Sequence, residues 1–274
     1  MRLRVVLPCR GEFGLILRYH VPAVHALKAG RLVVYHEAGA EALYPSATEH
    51  VVVPSPRDGD RRGLRPRCDA EFCEATAREA RERWPGAHLV RTRPGMPEAR
   101  FVPEPVRREG IEADVVLCPR GRGYGASKNW SGWATVAGIL SARHRLFTAG
   151  APDSSLEVPG LDAAWKRERF LDASIEAMRG ARLVISTDAG LAHLAVLCGA
   201  PLLMVTYHGL VAPGPVLGPD GVTVMEDRYW PVRKREYYDR ANHLGSPLWI
   251  SHSWERPDMV AREALAILNG QGGK

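Results

Sequence analysis

The strongest local pattern in the sequence is LVISTDAGLAHLA, residues 183–195, and it predicts the fold. An apolar strand ends at Ser186, a threonine and an aspartate follow, and a run with helical spacing begins within two residues of them. A strand, a tight turn and a helix form the repeating unit of open α/β sheets, whose ligands bind beyond the carboxyl ends of the strands. Because the first N–H groups of such a helix bind anions, the stretch also predicts an anion site.

Two residues of this stretch fit an anion. Gly190 would let a phosphate approach the backbone, and His193, about one turn inside the helix, would add a side-chain donor. The alternative is that Asp188 only caps the helix and that His193 is an interior histidine with satisfied hydrogen bonds.

Strand-like and helix-like runs alternate on both sides of a proline-rich segment at 93–110. Strands separated by helices of this length predict parallel sheets with right-handed crossovers. We therefore expect an α/β fold of two Rossmann-like, doubly wound domains facing a central cleft, at 1–110 and 111–274, with a C-terminal helix that could pack back on the first domain. The predicted strands are 4–8, 32–35, 51–53, 88–91, 114–118, 145–149, 181–186 and 201–206; the predicted helices are 21–29, 38–44, 70–83, 130–140, 167–179, 191–198 and 257–268.

Composition excludes several classes of protein. The 274 residues are 45% hydrophobic and 25% charged, values typical of a soluble protein with a real core. The mean hydropathy is -0.20 and no apolar run approaches the roughly 20 residues of a membrane helix. The N-terminal apolar run is too short for a signal peptide, and the five scattered cysteines do not form a disulfide framework, so we expect a cytoplasmic protein.

The net charge of +6 predicts a phosphate-bearing partner, which could be a nucleotide, a nucleic acid or a phosphorylated glycan. The positive charge is clearest at 57–67, which is either a solvated loop or a surface that follows a polyanion. If it follows a DNA backbone, the residues in contact would be Arg61, Arg62, Arg65 and Arg67. A second region, 211–254, interleaves aromatic and basic residues, which stack on bases or sugars or pack an irregular loop.

Two glycine-containing loops follow predicted strands. In PRGRGYGASKNW, residues 119–130, a basic loop could wrap a diphosphate, with Arg120, Arg122 or Lys128 offsetting charge on a leaving group. This loop has neither the Walker pattern nor the full dinucleotide fingerprint. In CRGEFG, residues 9–14, Glu12 could take a proton from a hydroxyl, or it could be a turn residue paired with a nearby arginine.

No metal site is predicted from spacing. The Asp58-Gly59-Asp60 triplet lies in the arginine-rich loop rather than after a nucleotide-binding strand. The pairs His20/His25 and Cys68/Cys73 are each five residues apart, which does not place both members on one helix face. Ser186 lacks the nucleophile elbow of a hydrolase.

Three motifs, taken in order, resemble the heptosyltransferase-like glycosyltransferases of glycosyltransferase family 9. They are GE at 11–12, KNW at 128–130, and DAGLAH at 188–193 followed by GAP at 199–201. The resemblance anchors both ends of the chain, while similarity between Tyr35 and Ala113 is weak. It implies the two-domain GT-B fold.

The resemblance further implies an inverting, metal-independent transfer of a sugar from a UDP- or ADP-linked donor, with no cofactor. Lys128 and His193 would hold the donor phosphates, Gly150 would lie near the base and ribose, and Glu12 would be the catalytic base. The same pocket would be shaped by Asp188, Ala189 and Gly190. Ala189 and Glu12 stand where the family usually has Thr or Ser and aspartate, and Phe13-Gly14 replaces the usual small apolar pair.

The first domain is short for the family, so the acceptor is the least transferable property. The Gly-Glu-Phe-Gly turn resembles glycosyltransferases of viral or environmental origin, some of which modify DNA bases. A hydroxymethylated DNA base and a phosphorylated glycan are both open as acceptors. The alternatives are a noncatalytic nucleic-acid-binding module on the same fold and a nucleotide-sugar epimerase; the oligomeric state is not indicated.

Overall fold

A computed structural model describes residues 3–9, 13, 16–54, 70–92, 96–122, 129–206, 216–217, 223–224 and 244–270. Short runs of Val and Leu form a first, parallel sheet in the order β3-β2-β1-β4. A π-helical turn leads into the helix after β1, and a 3-10 turn follows β2. The elements are β1 (Leu3–Val6), the π turn (Ile16–His20), α1 (Val21–His25), β2 (Arg31–Glu37), the 3-10 turn (Glu41–Leu43), β3 (Glu49–Val53), α2 (Ala70–Arg83) and β4 (His88–Val90).

The second sheet is also parallel, in the order β12-β9-β8-β5-β6-β7. A short antiparallel hairpin, β10 (Val216–Leu217) with β11 (Thr223–Val224), is separate from it. The remaining elements are β5 (Val115–Cys118), α3 (Trp133–Leu140), β6 (Leu146–Thr148), β7 (Asp162–Ala163), a 3-10 turn (Ala164–Lys166), α4 (Phe170–Gly180), β8 (Leu183–Thr187), α5 (Gly190–Leu197), β9 (Leu202–Val205), β12 (Leu248–Ser251) and α6 (Pro257–Leu268).

Two parallel α/β sheets confirm the predicted fold class, and two predicted helices need correction. The helix expected at 21–29 begins as the π turn at Ile16 and ends at His25. The helix expected at 38–44 is a single 3-10 turn, because Gly39 takes a positive φ of 79° directly before it and the run is too short to sustain a helix. β12 was not predicted, since its short apolar run follows Pro247 in a segment that is typical of a loop.

Each sheet has a hydrophobic core of its own on one face, and a third hydrophobic core joins the two halves of the chain. Val5, Leu7 and Tyr35 pack under α2, on one face of the first sheet. Leu183 and Leu203 pack under α3 and α6, on one face of the second. The opposite faces belong to one continuous cluster that includes α1, α4 and α5. The C-terminal helix, which could have packed back on the first domain, lies against α3 in the second.

The segment between the two sheets is tied to both halves. The Ala99 N–H donates to the Pro22 carbonyl, 3.0 Å away, in the first half. Arg179 Nη1 donates to the Pro103 carbonyl at 2.9 Å, and the Glu176 carboxylate accepts the backbone N–H groups of 109–111 at 2.6 to 3.2 Å. From 103 onward, therefore, the segment lies on α4. Among the described residues, no helix is long and apolar enough to cross a membrane.

Candidate functional site

The chain reverses its direction across the second sheet between β5 and β8. From β5 it crosses to β6 on one side, and from β8 it crosses to β9 on the other. Cys118 pairs in register with Ser186, so the loops that leave β5 and β8 start side by side at the same edge. A crevice at such a reversal is where open α/β sheets bind ligands.

The N-termini of two helices, α3 and α5, lie at this edge. The cap residue of α3 is Gly132 and that of α5 is Ala189; within the described residues, neither helix has a side-chain cap hydrogen bond. The first N–H groups of each helix and the positive end of its dipole therefore face the edge. Asp188 directly precedes Ala189, the cap residue of α5.

The turn between β8 and α5 is buried and polar. Asp188 is 8% exposed and His193 is 6% exposed, while Ala189 and Gly190 are partly exposed between them. The hydroxyl of Thr187 is buried and makes no hydrogen bond to any of the described residues. A buried hydroxyl of this kind is costly unless a ligand or water completes it.

The loop after β5 is held from both sides. Arg120 Nη1 donates to the side-chain oxygen of Asn129 at 2.5 Å, and the same oxygen accepts the Arg122 N–H at 3.1 Å. Asn129 returns a hydrogen bond to the Arg122 carbonyl at 2.7 Å. On the other side, the Gly121 N–H donates to the Ser154 carbonyl at 2.9 Å. Both arginines are thereby kept at the sheet edge, partly exposed.

Gly150 follows β6 at the same edge, in close contact with the loop that supports Arg120. A Cβ at position 150 would lie 1.9 Å from Oγ of Ser155, which itself accepts the Ala151 N–H at 3.1 Å. Only glycine fits there without a shift of Ser155. The structure thus places seven of the candidate residues along one edge: Arg120, Arg122, Gly150, Asp188, Ala189, Gly190 and His193.

The other candidate residues lie outside the described part of the chain. These are Glu12, Lys128, Arg61, Arg62, Arg65 and Arg67, together with most of the aromatic and basic segment at 211–254. Within the described residues, no group of three or more His, Cys, Asp or Glu side chains could hold a metal ion. Cys118, at the end of β5, is buried, which raises the pKa of its thiol to about 12 and makes it a poor nucleophile.

Sequence reasoning missed a second polar cluster, at the carboxyl edge of the first sheet. His20 Nδ1 lies 2.6 Å from Oγ1 of Thr92, and His36 Nε2 lies 3.0 Å from Nδ1 of His50. The Tyr44 ring contacts both His20 and His36. Burial, and then the charge of His36, lower the pKa of His20 to about 4, so His20 is neutral at pH 7.

The protonation of this cluster follows from its hydrogen bonds. His36 Nδ1 lies 2.8 Å from the Glu37 carbonyl, which can only accept, so this nitrogen carries a proton. In neutral His36 the bare Nε2 then accepts the N–H of His50 Nδ1. No local motif announces these residues, because strand register and the turn after β2 bring them together.

The second sheet also carries polar residues that were not predicted. Thr206 follows β9 and His252 follows β12; Oγ1 of Thr206 and Nδ1 of His252 are 3.5 Å apart. The strand predicted at 201–206 could have indicated Thr206, since it ends at the same edge as Asp188. His252 could not be placed without β12.

The whole fold matches solved glycosyltransferases, although no protein-family model and no curated protein sequence matches the chain. Against Escherichia coli ADP-heptose LPS heptosyltransferase II the TM-score is 0.51 at 14% identity, covering 100% of both chains. Against the family 9 glycosyl transferase from Veillonella parvula it is 0.52 at 12%, covering 98% of this chain and 97% of that one. E. coli heptosyltransferase WaaC with ADP gives 0.51 at 13%, covering 97% and 100%.

These likenesses define the fold as that of the two-domain GT-B glycosyltransferases. They confirm the predicted fold and, at the level of structure, the resemblance to heptosyltransferases. Each of these three matches extends over 97% to 100% of both chains.

Proposed function

We propose that this protein is a glycosyltransferase that moves a sugar from a nucleoside-diphosphate donor to an acceptor hydroxyl. The observation that carries the proposal is that α3 and α5 both begin at the carboxyl edge of β5 and β8, on which Arg120 and Arg122 also lie, and that among the described residues neither cap position makes a side-chain hydrogen bond. A diphosphate offers two anionic groups to two such helix ends. The GT-B fold supports the same assignment.

The donor site would stabilise the leaving nucleoside diphosphate without a metal. As the bond between the sugar's anomeric carbon and the phosphate oxygen breaks, the electron pair stays on the diphosphate. The helix dipoles of α3 and α5 and the two arginines stabilise that developing negative charge. Lys128 and His193 would donate further hydrogen bonds to the phosphate oxygens. Asp188, Ala189 and Gly190 would shape the pocket.

The acceptor would attack from the opposite face of the sugar, which inverts the anomeric configuration. Its hydroxyl oxygen forms the new bond to the anomeric carbon while its proton passes to Glu12, the proposed base. The catalytic pair is thus Glu12 for the acceptor and Lys128 for the leaving group. Closing the cleft would exclude water that competes with the acceptor.

An ADP-linked sugar is the proposed donor, with its base and ribose near Gly150. The neighbours that support this are named for ADP-heptose in one case and were solved with ADP in another. A glycan hydroxyl is the preferred acceptor, because one of these neighbours is named as an LPS heptosyltransferase. A hydroxymethylated base in DNA, contacted by Arg61, Arg62, Arg65 and Arg67, is an outcome that the experiment below distinguishes.

Calorimetric titration with ADP, UDP and GDP, each with EDTA or with Mg²⁺, tests the donor site. We expect one nucleotide to bind equally well with EDTA and with Mg²⁺. His193→Ala and Arg120→Gln should each lower the affinity for that nucleotide about tenfold or more, because each removes a hydrogen bond to a charged group. His88→Ala, an exposed histidine on β4, is the matched control and should bind as the wild type does.

Product formation separates the remaining possibilities. Donor-dependent glycosylation of a glycan supports the proposal, and glycosylation of hydroxymethylated DNA changes only the acceptor. If no nucleotide bound, and if DNA bound tightly with an affinity that falls steeply with salt, the proposed enzyme activity would be wrong and a nucleic-acid-binding module would be favoured.

A further inference from the structure

Arg169 joins the carboxyl edges of the two sheets. Arg169 lies between β7 and α4, at the carboxyl edge of the second sheet, and its Nη2 donates to Oε2 of Glu41 at 3.1 Å. Glu41 opens the 3-10 turn that follows β2, at the carboxyl edge of the first sheet. The ion pair therefore spans the cleft between the two edges rather than stabilising either domain alone.

The guanidinium of Arg169 is held in place by a buried carboxylate of its own domain. Its Nε donates at 2.6 Å to Oδ2 of Asp172, a carboxylate that is fully buried in the first turn of α4. The same oxygen accepts the backbone N–H of Arg107 at 3.2 Å. Asp172 thus fixes the orientation of Arg169 and leaves the outer N–H groups to reach across to Glu41.

The connecting segment localises where the two halves could rotate. Ala99 is hydrogen-bonded to the first half and Pro103 to the second, so three residues, 100–102, lie between the two attachments. Phe101 at their centre is buried and stacks on His25, with ring centroids 4.6 Å apart and an interplanar angle of 9°. A change in domain separation would have to be absorbed there.

A second contact between the halves is apolar and lies beside the donor edge. Ile16 and Leu17 of the π turn share a core cluster with Ala192 and Ala195 of α5. Apolar contact is non-directional and lets surfaces slide, whereas a hydrogen-bonded ion pair sets a distance. Of these two contacts, the pair of Arg169 with Glu41 is the one that can define the width of the cleft.

We propose that Arg169 is a positioning residue: through Glu41 it sets the separation of the two sheet edges, and 100–102 is the hinge about which that separation changes. The inference rests on the proposed function, because the separation matters for bringing an acceptor on the first edge to a donor on the second. Donor binding itself needs only the second edge. Loss of the pair should therefore impair turnover and spare nucleotide affinity.

The test uses Glu41→Gln and Glu41→Lys, which leave the bond of Arg169 to Asp172 intact. Glu49→Gln is the matched control, since Glu49 is also an ion-paired glutamate of the first domain and its side chain is 24% exposed against 22% for Glu41. Glu49 pairs with Arg31 and Arg83 inside that domain. Urea unfolding checks that all variants are folded.

Domain separation is measured by pulsed electron resonance between spin labels on cysteines introduced at Glu82 and Arg143, one exposed position in each half. The protein without the introduced cysteines gives the background. We expect Glu41→Lys to lengthen or broaden the distance distribution, Glu41→Gln to do so less, and Glu49→Gln to match the wild type. A distribution for Glu41→Lys equal to that of the wild type, or an equal change in Glu49→Gln, would overturn the proposal.

Kinetics add a readout that a purely structural role would not move. We expect nucleotide affinity to stay within roughly twofold, and turnover in Glu41→Lys to fall roughly tenfold to a hundredfold through misplacement of the acceptor. Unchanged turnover with a changed distance would overturn the positioning role and leave the proposed function standing. If the wild type binds no nucleotide, the proposed function fails, and the distance measurement still decides whether Arg169 sets the separation.

Discussion

The carboxyl edges of the two sheets have the same parallel topology and different chemistry. At the second edge, two helices begin with no side-chain cap hydrogen bond from any described residue at their cap positions, and Arg120 and Arg122 lie at the same edge, so the edge favours anions. At the first edge, His20, His36 and Tyr44 are buried and bonded to one another or to neighbours such as Thr92. That edge is polar, and His20 within it is neutral at pH 7.

The difference shows that topology places a site while the loops decide its chemistry. Both edges lie where open α/β sheets bind ligands, but an anion would be drawn to only one of them. Two histidines of the first edge resist protonation, because burial lowers the pKa of His20 and of His50. An uncharged, hydroxyl-bearing acceptor suits such a surface better than a phosphate does.

The largest expected effect concerns the neutrality of His20 at the first edge. His20 has a pKa of about 4 in the folded protein, against 6.5 as its ordinary value. Above pH 6.5 the His20 side chain is neutral in both the folded and the unfolded state. Below pH 6.5 it takes up a proton in the unfolded chain but stays neutral in the folded protein. Stability is therefore lost as the pH falls from 6.5 towards 4, up to about 3 kcal/mol from this residue.

Comparing wild type with His20→Asn by urea unfolding at several pH values isolates this contribution. Asparagine keeps a polar atom near Oγ1 of Thr92 but does not titrate, so the stability difference between the two proteins should shrink or reverse between pH 7 and 4.5. Other histidines are present in both proteins and cancel. His88→Asn, an exposed replacement, should follow the wild type; a difference for His20→Asn that is constant with pH would mean that the edge is not held neutral by this residue.

The comparison of the two edges also explains how much the sequence could predict. The second edge is local: a strand, a turn and a helix are contiguous in 183–195, and a glycine-rich basic loop follows β5. The periodic helices α2 and α6 are equally local, and their predicted bounds, 70–83 and 257–268, match those of the structure.

The first edge is nonlocal and could not be read in the same way. His20, His36, Tyr44 and Thr92 are far apart along the chain and belong to no motif, and β2/β3 pairing is what brings His50 beside His36. β12 was missed for a related reason, because its pairing with β9 supplies what a short apolar run beside proline lacks. Contacts made by register are decided by tertiary packing, which a single sequence does not display.

The next effect in size tests the close packing behind the second edge. In Gly150→Ala the new methyl group would lie 1.9 Å from Oγ and 2.9 Å from Cβ of Ser155, so the loop that supports Arg120 must shift. Overpacking of this kind should lower the free energy of unfolding by about 2 kcal/mol. It should also weaken the binding of the nucleotide for which the wild type has affinity, as measured by calorimetry.

Gly138→Ala is the control for Gly150→Ala. Gly138 lies on the exposed face of α3 with no atom within 4 Å of the added methyl group. Alanine favours a helix over glycine, so this variant should be unchanged or more stable by up to about 1 kcal/mol. If Gly150→Ala were equally harmless, the loops after β5 and β6 would not be coupled through Ser155.

The smallest effect concerns Asn129, which makes three hydrogen bonds across the loop after β5. Asn129→Ala removes the acceptor for Arg120 Nη1 and for the Arg122 N–H, and the donor to the Arg122 carbonyl. The site is partly exposed, so water replaces much of what is lost, and we expect a cost of about 1 kcal/mol in urea unfolding.

Nucleotide affinity should suffer more than stability in Asn129→Ala. A guanidinium that is no longer held must be ordered when the anion binds, which costs about 1 kcal/mol and corresponds to a severalfold weaker affinity. Asn269→Ala, at the exposed end of α6, is the matched control and should change neither quantity. Weaker unfolding stability with unchanged affinity would show that Arg120 reaches the anion without help from Asn129, and the positive character of the second edge would then rest on the helix N-termini alone.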